Sequence, residues 1–229
     1  MAAYQHDELF DLGGKIRPNY NPIRHSPAPD VGVGTVVRGP CVAKESDRLV
    51  TRLRLEDAVL APWQTSSRVT SYLIEHIPPD LWSAAVPGAS SRTIRAIAAH
   101  LHNSRRNWVR TLGQEHGIVA PERIDHRNVT RRQLGAALRR SSRGIAALLR
   151  LGCARGGSIP ASKAYVWRNL PLDVGHVLAY FVAHEAHHRG QIVMVARQLN
   201  CRLPDAVAAG LWQWQTRLRE GSASRGGDR

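Results

Sequence analysis

The chain has 229 residues, 43% of them hydrophobic, which is enough apolar material for a packed core and excludes wholesale disorder. Lys and Arg number 32 against 18 Asp and Glu, a formal net charge of +14, and only Lys15, Lys44 and Lys163 are lysines. Such a balance points to nucleic acid, an anionic surface or anionic ligands, although an Arg-heavy, Ala-rich composition also arises from coding bias.

Cys41, Cys153 and Cys201 are scattered and form no C-x-x-C pair, which argues against a disulfide framework and a thiolate zinc site. No stretch approaches the roughly 18 apolar residues of a membrane span. The first residues carry Asp7, Glu8 and Asp11 in place of the apolar core of a secretory leader. A cytoplasmic location without membrane contact is expected.

Residues 1–50 read as a largely irregular extension. Pro18, Pro22, Pro27, Pro29 and Pro40 alternate with glycines, and only Val31 to Val37 suggests a strand. Six basic and six acidic residues cancel there, so the whole net charge falls on residues 51–229.

A helical pattern follows, carried by Leu55, Val59, Leu60, Trp63, Val69, Tyr72, Leu73 and Ile77. A break is expected near Pro62 and an end at Pro78-Pro79. Ser90 or Ser91 is placed to cap a second helix from about Thr93 to Leu112, with Ile94, Ile97, Leu101 and Trp108 as its apolar stripe. After a polar connection over residues 114–129, Thr130 and Gln133 have capping-box spacing for a third helix ending near Gly152. A fourth helix starts at Leu172 or Asp173 and ends near Leu199. Pro204 to Leu218 forms a tail segment with Trp212 and Trp214, and residues 220–229 are expected to be disordered. Nothing alternates at period two over a useful length. The pattern predicts an all-α four-helix bundle over residues 51–219.

The fourth helix carries the chemistry. Its core-facing seam reads Val177, Phe181, His184, His188, Gln191 and Val195, apolar at both ends and polar in the middle. Each imidazole or amide buried there without a partner costs about 1–3 kcal/mol. Histidines at i and i+4 share one helix face and can converge on a divalent metal ion. His100 borders the apolar stripe of the second helix and is the third candidate ligand, whereas His102 points about 200° away around the helix. Three histidines leave a fourth position to water or substrate, which marks a catalytic rather than a structural site. A hydrogen-bonded pair of core histidines is the competing reading. His187 falls one step off the seam and is expected to be exposed or to support a ligand from behind. Glu185, Arg189 and Gln191 could support the ligands from behind, but a solvated surface is the simpler expectation for Glu185.

His184-Glu185-Ala186-His187-His188 also fits H-E-x-x-H, the metalloprotease helix with Glu185 as base. The extended form needs Gly and His where the chain has Gln191 and Met194, and only Asp205, Glu220 and Asp228 follow as acidic ligands. A protease is therefore disfavoured.

Ile97-Ala98-Ala99-His100-Leu101-His102-Asn103 with Trp108 resembles the second-helix motif of DinB-like proteins. His184-Glu185-Ala186-His187-His188-Arg189-Gly190-Gln191-Ile192 resembles their fourth-helix motif, HxxHHRGQ. Tyr72-Leu73, Pro79-Asp80-Leu81-Trp82 and Pro204 through Trp212-Gln213-Trp214 are similar to segments of one branch of the family. The resemblance implies an up-down-down-up bundle with a long crossover and a divalent metal held by His100, His184 and His188. It does not distinguish Zn, Ni, Fe and Mn. Characterised relatives are thiol-dependent transferases and isomerases using small thiols such as mycothiol or bacillithiol, and many others have no assigned activity. The expected function is therefore a metal-dependent enzyme on a small-molecule substrate, S-transferase- or isomerase-like or a hydrolase, with a low-molecular-weight thiol as cofactor. Bundle relatives also pair through exposed helix faces, so a homodimer is a further expectation. The alternative is a non-catalytic stress-related or nucleic-acid-binding module using Arg139, Arg140, Arg143 and Arg150. Nucleic acid is disfavoured, because the third helix lacks the partner spacing of a recognition element.

Overall fold

The computed structural model describes residues 54–166 and 168–223. The segment 1–50, with its expected strand, and the residues from 224 onward lie outside the described residues.

Helix α1 spans Leu55–His76, with Glu56 and Asp57 in its first turn, where carboxylates suit the helix dipole. The break expected at Pro62 is absent. Proline inside a helix costs about 3 kcal/mol. Here the buried Val59, Leu60 and Trp63 hold the backbone on both sides of it, and the Trp63 indole donates to the Ser142 carbonyl at 3.0 Å.

A two-stranded hairpin follows, β1 (Ala85–Val86) antiparallel to β2 (Ala89–Thr93), turning at Gly88 with φ +78°. The pairing keeps the chain extended to Thr93. Thr93, rather than Ser90 or Ser91, therefore caps α2 (Ile94–Gly113), its side chain accepting from the Ala96 amide at 3.1 Å. Strands this short leave no period-two signal.

Helix α3 spans Arg131–Ala154 and begins with the expected capping box of Thr130 and Gln133. Helix α4 spans Val174–Gln198, and the Asp173 carboxylate accepts from the His176 amide at 3.0 Å at its start.

Side-chain contacts give the helix directions. Trp63 meets Ser142 and Glu56 meets Arg150, so α1 and α3 are antiparallel. Trp63 meets Phe181 and Thr70 meets Glu185, so α1 and α4 are parallel. His102 meets Ala137 and Arg105 meets Leu138, so α2 and α3 are parallel. The result is the up-down-down-up bundle. Parallel neighbours need a crossover, and residues 114–130 supply it by running back along α2. Arg106, His102 and Asn103 contact Pro121, Glu122 and Ile124 in turn.

Two apolar clusters fill the bundle. One gathers Leu73, Ile94, Leu101, Leu138 and Ile192, the other Trp63, Trp108, Ile145, Val177 and Phe181. Between them lies a layer of buried polar groups: Ser66, Thr70, Arg105, Ser141, Glu185, His188 and Arg189.

The tail folds as α5 (Asp205–Gly210) and α6 (Trp214–Ala223), so helix continues past Glu220, where a frayed terminus was expected. Both helices dock on α1. Arg68 donates to the Arg217 carbonyl, and the Arg217 guanidinium lies 4.2 Å from the Tyr72 ring centroid. Trp212 is 84% exposed and is not a core residue. Cys153 and Cys201 are free. No helix among the described residues is long and apolar enough to cross a membrane.

The close approach of α2 and α3 depends on Gly144, where an added Cβ would meet Val109 Cγ2 at 2.8 Å. Gly144→Ala is expected to lower stability by about 1–3 kcal/mol, read as a reduced urea midpoint.

Candidate metal centre

The polar stretch of the α4 seam sits in the middle layer. Val177, Phe181 and Val195 are buried at the ends, and His184 and His188 face His100 of α2 between them. One nitrogen from each of the three imidazoles lies within 4.8 Å of the others. The Nε2 atoms of His184 and His188 are 3.2 Å apart. Two nitrogens on a tetrahedral zinc ion at its usual bond length would be separated by about 3.3 Å. The donor set and its spacing therefore fit a divalent ion.

The orientation of His188 is set from outside. Arg92 on β2 donates through Nη2 to Gln191 Oε1 at 3.2 Å, which identifies that atom as the amide oxygen. The same oxygen lies 2.8 Å from His188 Nδ1, so Nδ1 must carry the proton and donate. Nε2, which faces His184, is then left with a lone pair. The other end of the Gln191 amide meets His187 Nε2 at 2.9 Å. A hydrogen-bonded rear nitrogen is the usual way a protein fixes the tautomer of a metal-ligating histidine.

Burial lowers the proton affinity of both α4 histidines. It pushes His184 down to about 3, helped by His188 and His100, and His188 down to about 4, helped by His100. Both imidazoles are thus neutral at physiological pH, the form that binds metal. The Tyr180 ring stacks on His184 with centroids 5.8 Å apart and 18° between planes. Trp108 and Phe181 extend this aromatic wall.

The sequence model described as the DinB family matches residues 51–206. The chain belongs to the DinB family. No curated protein and no solved structure matches it.

In this DinB bundle His102 is not part of the triad. It is buried, with its ring nitrogens on the Ala137 and Glu122 carbonyls at 2.9 and 2.8 Å, where it fastens the crossover to α2 and α3. His187 is exposed, as its place off the seam predicts.

Glu185 corrects the expectation of a solvated side chain: it is fully buried. Its Oε1 accepts from Arg105 at 2.5 Å, and its Oε2 accepts from the Thr70 hydroxyl at 2.7 Å. Arg189, also buried, donates to Thr70 at 2.8 Å and lies 3.7 Å from Oε2. The carboxylate required as base by the H-E-x-x-H reading is therefore already engaged by two guanidinium groups.

Sequence reading passed over Arg105 altogether. It is 1% exposed, donates to the Leu138 carbonyl at 3.1 Å and lies over the Trp63 ring at 5.0 Å. Its spacing held the signal: Leu101, Arg105, Trp108 and Leu112 follow one helical stripe, with a cation in an apolar position.

Removing the counter-charge leaves two buried cations without a partner, so Glu185→Leu is expected to cost about 3–5 kcal/mol in thermal or chemical unfolding. The histidines predict a pH dependence. Their folded values lie below the unfolded value of about 6.5, so their contribution to stability is complete above that pH. It is lost as pH falls through the folded values of about 4 and 3. The urea midpoint of the metal-free protein should fall between pH 6.5 and 4, and fall less steeply in the His184→Asn/His188→Asn variant.

Proposed function

We propose that this DinB protein is a divalent-metal-dependent enzyme acting on a small molecule. Thiol-dependent S-transfer or isomerisation is the leading reaction class, with hydrolysis next. The observation that carries this reading is the convergence of His100, His184 and His188 within 4.8 Å on the inner face of two bundle helices. A bound divalent ion would lower the pKa of a thiol or water in its remaining position and so supply a nucleophile near neutral pH.

The protein's own groups prepare that position. Burial keeps His184 and His188 neutral, and Gln191 holds His188 with Nε2 toward the site. Tyr180 and Trp108 form an apolar wall that would shield a bound substrate from water. A cytoplasmic location, a low-molecular-weight thiol cofactor and a homodimer belong to the same proposal. Of the four α3 arginines that would carry a nucleic-acid reading, Arg150 is engaged by Glu56 at 3.3 Å.

Untagged wild-type protein should retain about one divalent ion per chain by elemental analysis, and His184→Ala should retain none. Unchanged metal content in the variant would remove the site assignment. A thiol-transfer screen of the metal-loaded protein then tests the reaction class.

A further inference from the structure

The polar layer behind the triad holds two guanidinium groups and one carboxylate. Arg105 and Glu185 are each 1% exposed and meet at 2.5 Å, and Arg189, 10% exposed, lies 3.7 Å from the other oxygen of the same carboxylate. The remaining partners are uncharged: the Thr70 and Ser66 hydroxyls and the Leu138 carbonyl. The charges do not close: two guanidinium groups face one carboxylate, and one formal positive charge stays inside the bundle.

That charge is tied closely to the histidines. Glu185 follows His184, Arg189 follows His188, and Arg105 comes five residues after His100 on α2. On the other side Arg92 reaches Gln191, the acceptor of His188. The ligand group contains no carboxylate. The imidazoles bring no negative charge to offset this field, which acts through a poorly screening interior.

We propose that the unbalanced Arg105–Glu185–Arg189 cluster makes the exchangeable ligand of the His100–His184–His188 site a small anion rather than a neutral molecule. The positive layer weakens the hold on the cation and strengthens the hold on a negatively charged fourth ligand. This deepens the metal-site reading and rests on it.

The test uses the full-length protein loaded with cobalt(II), titrated with azide and followed by visible absorption. Arg189→Met makes the cluster neutral and should weaken azide binding about tenfold while tightening cobalt binding. Arg189→Lys keeps the charge without the planar fork and should bind azide within about twofold of wild type. Ser66→Asp places a second carboxylate near Arg189 Nη1, which lies 3.5 Å from the Ser66 hydroxyl, and should weaken azide binding as Arg189→Met does. It keeps both arginines, so it decides the matter if Arg189→Met does not fold. Azide binding unchanged in Arg189→Met or Ser66→Asp, or lost equally in Arg189→Lys and Arg189→Met, overturns the proposal and leaves the metal site standing. Absence of a cobalt spectrum in wild type overturns the metal reading itself.

Discussion

A carboxylate buried at the centre of a helical bundle must be met on every side, and Glu185 makes that demand of its neighbours. Arg105 of α2 and Thr70 of α1 answer it directly, and Arg189 of α4 closes the ring through Thr70. Replacing such a cluster with apolar side chains is often neutral or stabilising, so its presence is weak evidence for stability. What it supplies here is register. A slip of α4 by one residue would turn Glu185 away from Arg105, and the same slip would turn His184 and His188 away from His100. The ion cluster and the triad therefore depend on a single alignment of α2 and α4.

The second determinant lies outside the four helices. Arg92 belongs to β2, and its contact with Gln191 defines which end of that amide is the oxygen, and through it which nitrogen of His188 carries the proton. The hairpin thus acts on the ligands without contributing one. The crossover does comparable work on the opposite flank. Because α2 and α3 run parallel, residues 114–130 must return along α2, and His102 and Asn103 bind their carbonyls and amides. The motif's two histidines on α2 consequently divide the labour: His100 faces α4 and His102 faces the crossover.

Much of this was legible in the amino-acid pattern. Period-3.6 apolar stripes place α1 to α4 within a few residues, the Thr130–Gln133 spacing marks the start of α3, and the seam of α4 singles out His184 and His188. The failures have physical causes. Pro62 reads as a breaker because local propensity does not know that Trp63 is anchored across the core. The hairpin is too short to alternate, so Thr93 is hidden as a cap behind two better-looking serines. Glu185 reads as surface, and Arg105 draws no notice, because each charge is unfavourable in the core taken singly. They become compatible with burial only as a pair 80 residues apart in sequence, and no local window contains both.

The same pairing bears on the composition. Arginine supplies nearly all the positive charge, and at several positions its chemistry rather than its charge is what the fold uses. Arg105 binds a carboxylate through two nitrogens, reaches the Leu138 carbonyl with a third and covers the Trp63 ring. Arg217 lies over Tyr72 while pairing with Glu220 at 2.9 Å. A lysine ammonium, compact and strongly hydrated, cannot span such a set of partners or shed its water as readily. Part of the arginine excess is therefore internal, holding helices and the tail in place. A positive total gathered in this way says less about an external polyanion than one unbalanced guanidinium beside the histidine triad says about the ligand it would receive.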